Sequence, residues 1–457
     1  MLMGDKTYEK LYTNELNISK LYNLKPLGIG TFYTESLISY LCRLAEEHCV
    51  TLGTLINKEI ISILNKGYLH RYAEYGGNGF FDGAHTINGT QAVASDFVDV
   101  LNSLTSRDDL TDLTLIKWRH VLSTKGLMKD YFSWCPVCFE EWRLKNKPIF
   151  VPLIWGLQAI KTCPEHGIYL KDRCPNCNNK IPLLHRKTVL GYCPKCRKWL
   201  GCKISSSELK ENNEQEKRWN SWVNKNVGEL IALASHIDIV PDREVISWAI
   251  KCFIDKTTNG NTAEFSRLLG IPKTTMYCWA KGKAIPPLEK LLIIGYALNI
   301  SLKQVFLETN FGSVEFDFEK VSIVNERSSY LAQIRSSGER SDKKFIKDSL
   351  KKFIHVNKPI SVSEAAQRLG INRRILYNWF PDLCKQISKN YRDYIHKRSL
   401  ERKKNIYNNV EMAADELIKN GLFPSRRRLE AMLPSKIIVQ EKLVREAWEN
   451  KKKQYSI

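Results

Sequence analysis

Four short pairs of metal-type ligands constrain this chain more than any other feature. They are Cys135-Pro-Val-Cys138, Cys163-Pro-Glu-His166, Cys174-Pro-Asn-Cys177 and Cys193-Pro-Lys-Cys196. Each pair leaves two residues between its ligands, so both side chains can reach one ion from a tight turn. Proline after the first cysteine suits such a turn. Seven of the 13 cysteines fall between Cys135 and Cys196. Clustered cysteine pairs in a cytosolic chain indicate metal rather than disulfides. Zinc takes four sulfur or nitrogen ligands in a tetrahedron, so two pairs complete one site. Two structural zinc ions are expected. Sequential pairing groups Cys135, Cys138, Cys163 and His166, then Cys174, Cys177, Cys193 and Cys196. A crossed arrangement, first pair with third and second with fourth, satisfies the same spacing. Closed sites leave no position for a reacting water, which argues against hydrolytic zinc chemistry. His185 and Cys202 lie nearby and are taken as bystanders.

The rest of the chain is patterned for helices, giving a mainly α, multidomain protein. Leu37, Ile38, Leu41, Leu44 and Ala45 recur at helical spacing, with Thr34 as the expected cap. The glycine-rich stretch 75–89 reads as a loop, and Asp82 and His85 within it as ordinary turn and surface residues. Leucine spacing turns helical again over 101–127. Trp219 and Trp222, three residues apart, are expected in a core. The expected order is a helical N-terminal domain over 1–130, a zinc module over 131–205 and a helical connector over 206–247. A first helix-turn-helix domain comes next over 248–310, then a linker over 311–345. A second helix-turn-helix domain covers 346–400 and a third, basic unit covers 401–457.

Two of these units form an internal repeat. Leu269-Gly-Ile-Pro-Lys-Thr-Thr-Met-Tyr-Cys-Trp279 aligns without a gap to Leu369-Gly-Ile-Asn-Arg-Arg-Ile-Leu-Tyr-Asn-Trp379 at an offset of 100 residues. Glu264 and Glu364 stay in register upstream. In each, a glycine supplies the sharp turn between two helices. The second helix of such a pair enters the major groove, with its early residues at base edges. Lys273, Thr274 and Tyr277 face outward in the first unit, with Lys281 and Lys283 placed for phosphates. Arg373, Arg374 and Tyr377 face outward in the second, whose reader helix is expected to begin at Asn372. Arginine pairs with guanine in bidentate fashion, so these two arginines are the best-equipped base readers. Met276, Trp279, Leu376 and Trp379 are expected in the cores. In the third unit, Ser425 caps a short helix opening with Arg426, Arg427 and Arg428. Helix-turn-helix shapes also serve protein contacts, and charge separates the two uses. The chain carries a formal net charge of +21, and residues 338–457 hold 28 Lys and Arg against 14 Asp and Glu. A basic half points to double-stranded DNA.

Taken together, these residues resemble the TniQ/TnsD family of transposon target selectors. The resemblance rests on Glu35-Ser36-Leu37, Ser39-Tyr40 and Arg43-Leu44-Ala45 near the start. It rests also on Trp134-Cys135-Pro136-x-Cys138, Trp155, Cys163-Pro164-x-His166 and the two later cysteine pairs. The basic C-terminal tail is similar to the TnsD branch, although the lead Pro26-Leu-Gly-Ile-Gly-Thr-Phe-Tyr-Thr34 before Glu35 is longer than the usual pattern. The resemblance implies a selector for a Tn7-like transposon that recognises a DNA attachment site. It also implies recruitment of a AAA+ ATPase regulator (TnsC-like) and the transposase. An adaptor role within an RNA-guided, CRISPR-associated complex is the alternative, as is a zinc-containing helix-turn-helix transcription regulator. No Gly-x4-Gly-Lys-[Ser/Thr] phosphate loop occurs, and no carboxylate set can be assigned, so the chain is not expected to be an enzyme. No run of about 18 apolar residues suggests a membrane span, and residues 1–10 do not read as a secretory signal. A prokaryotic, cytoplasmic, nucleoid-associated location is expected.

Overall fold

Helix α1 (Leu37–Glu47) begins where Ser36, not Thr34, accepts a hydrogen bond from the Ser39 amide at 3.3 Å. Thr34 instead donates to the carbonyls of Gly28 and Thr31, closing the preceding turn. The five apolar positions of the helical pattern are all buried. The computed structural model describes residues 19–64, 66–67, 69, 83–203, 214–237, 240–308, 310–322, 343–356, 358–371, 373–433 and 442–454. Residues 75–82 of the expected loop, with Asp82, lie outside them, as do Asn372 and residues 323–342 of the expected linker. The chain divides into two compact units, Met1–Ile323 and Val324–Ile457. Among the described residues the structure is helical, and extended pairing is limited to isolated antiparallel bridges. No helix among them is long and apolar enough to cross a membrane.

In the first unit, α2 (Ala92–Thr105) ends at Ser106, which takes a left-handed φ of 52°. The helix expected over 101–127 therefore stops early, because Ser106-Arg107-Asp108-Asp109 turns the chain. Arg107 clasps Asp109 through two hydrogen bonds, at 2.8 and 2.5 Å. Short 3-10 turns at Leu110–Leu113 and Ile116–Trp118 follow, and Leu110, Leu113, Leu115, Leu122 and Leu127 are all buried. Helix α3 (Pro136–Leu144) starts directly after Cys135, with Pro136 in the first turn, where its missing amide is harmless.

Helix α4 (Glu214–Leu233) packs across this unit. Gly228 lies against the Phe32 ring, where an added Cβ would come within 2.3 Å of the ring. Asn224 donates to the Thr162 hydroxyl at 3.0 Å, and Asn226 accepts from the Leu302 amide at 2.8 Å. The stretch expected as a connector thus ties the cysteine-rich region to the helices downstream. Trp219 is buried as expected, and Trp222 is half-buried. Helices α5 (Glu244–Thr258), α6 (Thr262–Leu268), α7 (Lys273–Ala280), α8 (Leu288–Leu298) and α9 (Leu302–Leu307) complete the unit. Residues 311–322 also pack here, with Phe311 against Trp248 and Phe253 and both Val314 and Val321 buried. The linker expected from 311 therefore does not begin there.

The second unit holds α10 (Lys343–Ile354), α11 (Val362–Arg368), α12 (Arg373–Trp379), α13 (Pro381–Lys419), α14 (Arg426–Met432) and α15 (Lys442–Gln454). Helix α13 is unbroken for 39 residues and runs through position 400, where the sequence pattern placed a boundary. Two separate apolar clusters sit along it. One gathers Ile346, Leu350, Ala365, Leu376, Cys384 and Ile387. The other gathers Ile406, Val410, Ala414, Leu417, Leu429 and Val444.

Candidate metal centres and basic helices

Three of the four ligand pairs share one local fold. In each, the amide of the first cysteine bonds to a carbonyl five residues on: Cys163 to Ile168, Cys174 to Asn179 and Cys193 to Lys198, at 2.8 to 3.0 Å. The carbonyl of that cysteine in turn accepts from Gly167, Asn178 or Arg197, at 2.8 to 2.9 Å. Those three residues all take positive φ, at 64°, 52° and 67°. The left-handed step points both ligands of a pair to one side. Glycine and asparagine adopt it readily, and arginine does so at a steric cost. Each turn is closed by an antiparallel bridge, Thr162 to Tyr169, Arg173 to Lys180 and Tyr192 to Trp199. The fourth pair differs: Cys135 caps α3 and Cys138 lies in its first turn.

The structure brings the eight ligands together in the sequential order. Cys135, Cys138, Cys163 and His166 form one group, and Cys174, Cys177, Cys193 and Cys196 the other, with ligand atoms within 4.8 Å of one another in each. In the first group, the Cys138 and Cys163 sulfurs are 3.6 Å apart, and His166 Nδ1 lies 3.3 to 3.7 Å from all three sulfurs. In the second, Cys174 and Cys196 are 3.5 Å apart and Cys177 and Cys193 are 3.8 Å apart. A zinc tetrahedron with Zn–S near 2.3 Å has sulfur–sulfur edges of about 3.8 Å, so both donor sets fit such an ion. Each group can hold one metal ion. His185 and Cys202 stand outside both.

The first group has a built surround. His166 Nε2 lies 3.1 Å from Glu141 Oε1. Burial lowers the His166 pKa, but bonding to Cys163 and Glu141 outweighs it and the net shift is upward. Hydrogen bonds from Cys135 and Cys138 hold the Cys163 thiol well below the usual thiol range. Tyr33, which no sequence motif singles out, accepts from the Glu165 amide at 3.0 Å and places its hydroxyl 3.6 Å from Cys163 Sγ. The long lead 26–34 thereby reaches the metal group. Beneath it, Trp155 packs against Phe139 and Trp142, and Trp199 donates to Glu140 at 2.7 Å.

Glu35 and Arg43 also acquire a physical role. Glu35 is fully buried, with Arg43 Nη1 at 2.5 Å and the Ser39 hydroxyl at 2.8 Å. Burial pushes its pKa up, against the pull of Arg43. Around this pair, the Ser36 amide donates to the Val151 carbonyl, the Val151 amide to the Ser39 hydroxyl and the Leu153 amide to the Thr34 carbonyl. Residues 34–39 are thus stitched to the segment between the first two ligand pairs. Residues 26–170 match the TniQ family model. This chain carries a TniQ domain. The match takes in Glu35, Arg43, Tyr33 and the whole first metal group. The second group and all the basic helices lie beyond it. No curated protein matches the chain. The TniQ domain associates the chain with Tn7-like transposition.

The basic helices lie apart from the metal groups in sequence. Lys273, Thr274 and Tyr277 are exposed on α7, after the turn at Gly270, whose φ is 60°. Lys281 and Lys283 are exposed, with ammonium groups 6.0 and 5.7 Å from the Tyr277 ring centre. On α12, Arg373, Arg374 and Tyr377 are exposed after Gly370, whose φ is 67°, and Arg373 donates to Ser363 at 3.2 Å. On α14, Arg427 and Arg428 are exposed and Arg426 is half-buried. The repeat extends to the helix caps, since Asn261 and Ser361 accept from the amides of Glu264 and Glu364. It fails at the tryptophans. Trp279 is 5% exposed, but Trp379 is 37% exposed, so the expectation of a core Trp379 is overturned. Residues 281–287 come after α7, whereas Phe380 alone separates Trp379 from α13. Trp379 is left beside Phe380 and under the Lys343 ammonium, 4.9 Å from its ring centre.

Proposed function

We propose that this chain is the DNA-binding target selector of a Tn7-like transposon. In this reading two zinc ions, one per ligand group, hold the cysteine-rich region as structural closures. Helices α7, α12 and α14 dock in the major groove of an attachment site. Lys273, Thr274, Tyr277, Arg373, Arg374, Tyr377 and Arg426 to Arg428 face the DNA, while Lys281 and Lys283 hold phosphates. The TniQ domain recruits a AAA+ ATPase regulator, which in turn brings the transposase. The chain performs no chemistry of its own. The observation that carries this reading is the presence, on one chain with a TniQ domain, of two glycine-turned helix pairs in a single residue frame. Each exposes cationic side chains in the first turn of its second helix (Lys273; Arg373 and Arg374) and a tyrosine one turn on (Tyr277, Tyr377).

A binding assay with the AAA+ regulator separates the two halves of the proposal. The full chain and a fragment ending at Ile323, the boundary between the two compact units, are each immobilised and offered the regulator. Both are expected to retain it. The fragment, lacking α12 and α14, is expected to hold duplex DNA more weakly. Retention by residues 324–457 but not by the folded fragment would reverse the assignment of the recruiting surface.

A further inference from the structure

Helix α13 presents an arrangement that base reading alone does not need. Its residues Cys384 and Ile387 belong to the apolar cluster that includes Leu376 of α12. Its residues Ile406, Val410, Ala413, Ala414 and Leu417 belong to the cluster that includes Leu429 of α14. None of the residues between Ile387 and Ile406 is buried. A helix without an apolar stripe is one that bridges two bodies through solvent or is held by side-chain pairs along its own surface. Nothing in the sequence breaks it: Pro381 stands at the first turn and the next glycine is Gly421, whose φ of 68° ends the helix. From Ile387 to Ile406 the rise is ~28 Å, about eight-tenths of one turn of duplex DNA. Residues 388–405 carry seven Lys and Arg (Lys389, Arg392, Lys397, Arg398, Arg402, Lys403, Lys404) against Asp393 and Glu401.

We propose that residues 388–405 of α13 form a rigid cationic spacer that lies along duplex DNA and fixes the distance between the reading helices α12 and α14. The inference rests on the DNA-reading role proposed above and adds a geometric demand to it. Two readers on a flexible tether accept many separations, because the tether sets only an effective concentration. Two readers on one straight helix accept one separation and one rotational phase. The charge of the spacer fits a phosphate backbone between the two contacted segments, since each neutralised phosphate releases counterions.

The test uses the full chain and duplex DNA throughout. A site is first selected from a randomised duplex pool, and the segments protected by α12 and α14 are assigned with Arg373→Ala and Arg427→Ala. Base pairs are then added or removed between those segments. The wild-type chain is expected to lose affinity by roughly 10- to 100-fold at the wrong separation, as one reader is forced off. A variant with Ala-Glu-Ala-Lys inserted after Ser399 gains one helical turn, ~6 Å, and its preferred separation is expected to lengthen by about two base pairs. A second variant replaces residues 391–402 by a Gly-Ser sequence of equal length. It is expected to bind all separations nearly alike. The heat-unfolding transition of each variant, compared with the wild type, reports whether the two clusters remain folded. A wild-type chain indifferent to separation overturns the spacer, and so does an insertion variant with an unchanged optimum. A chain that selects no sequence from the pool overturns the DNA-reading role, and the spacer with it.

Discussion

His166 turns Nδ1 toward three cysteine sulfurs and Nε2 toward the Glu141 carboxylate, 3.1 Å away. A carboxylate behind a ligating imidazole fixes its tautomer and raises its basicity. Glu141→Ala is therefore expected to weaken metal binding at the first group by roughly 10- to 100-fold while leaving the second unchanged. Competition with a chromophoric chelator measures both. Equal affinities in variant and wild type would remove Glu141 from the surround of the site.

The second group consists of four thiols on two turns of identical form. Cys174→Ala removes one ligand of a closed site, and with it folding free energy, because the unfolded chain has no preformed site. Elemental analysis is expected to find about one zinc per chain in the variant against about two in the wild type. The variant is also expected to show an earlier protease cut within 171–200. No zinc in a folded wild-type preparation would contradict both closures.

Glu35 and Arg43 are a buried ion pair, and breaking one partner strands the other. Arg43→Ala is expected to destabilise the first unit by about 3–5 kcal/mol in chemical denaturation. Glu35→Gln combined with Arg43→Ala is expected to recover part of that loss, since no charge then remains buried. A single variant as stable as the wild type would show that Glu35 is carried neutral.

His185 supplies a pH dependence. Burial, then the positive charges of Arg197, Lys187, Lys195 and Arg186, lower its pKa to about 3. The unfolded chain takes up this proton near 6.5. Between those values the unfolded state holds more protons, so the histidine's contribution is present above about 6.5 and lost as pH falls toward about 3. His185→Gln is expected to flatten the acid limb of stability relative to the wild type. Acid release of metal is common to both proteins and cancels in the difference. Parallel acid limbs would contradict the assignment.

Much of the molecule is legible in its sequence, for identifiable reasons. Cysteine pairs at fixed spacing point to their ligands, and the helix at 37–47 comes from its apolar period. The third dimension is not legible in the same way. Sequential and crossed pairing satisfy the same spacing, and only the folded chain chooses. Tyr33 gives no local signal, since its partner Cys163 is 130 residues away. The position four residues after the first cysteine of three pairs, occupied by Gly167, Asn178 and Arg197, is the one available hint of their shared left-handed step. The expectation for Trp379 fails because alignment with Trp279 carries no information on which downstream residues cover the ring. The bridging part of α13 has the charged composition of a loop, so composition places a boundary where the helix in fact continues.

The central claim is that α12 reads bases, and selection from a randomised duplex pool tests it most directly. The wild-type chain is expected to enrich one extended, non-palindromic site, because its repeat is internal and needs no dimer. Arg373→Ala and Arg374→Ala are each expected to cost about 1–3 kcal/mol on that site and to relax preference at one position. Lys281→Ala and Lys283→Ala are expected to weaken all sequences alike, reducing the salt slope by about one per lost phosphate. If the Arg373/Arg374 double variant enriches the same site with the same affinity, α12 does not read DNA and the account fails at its centre.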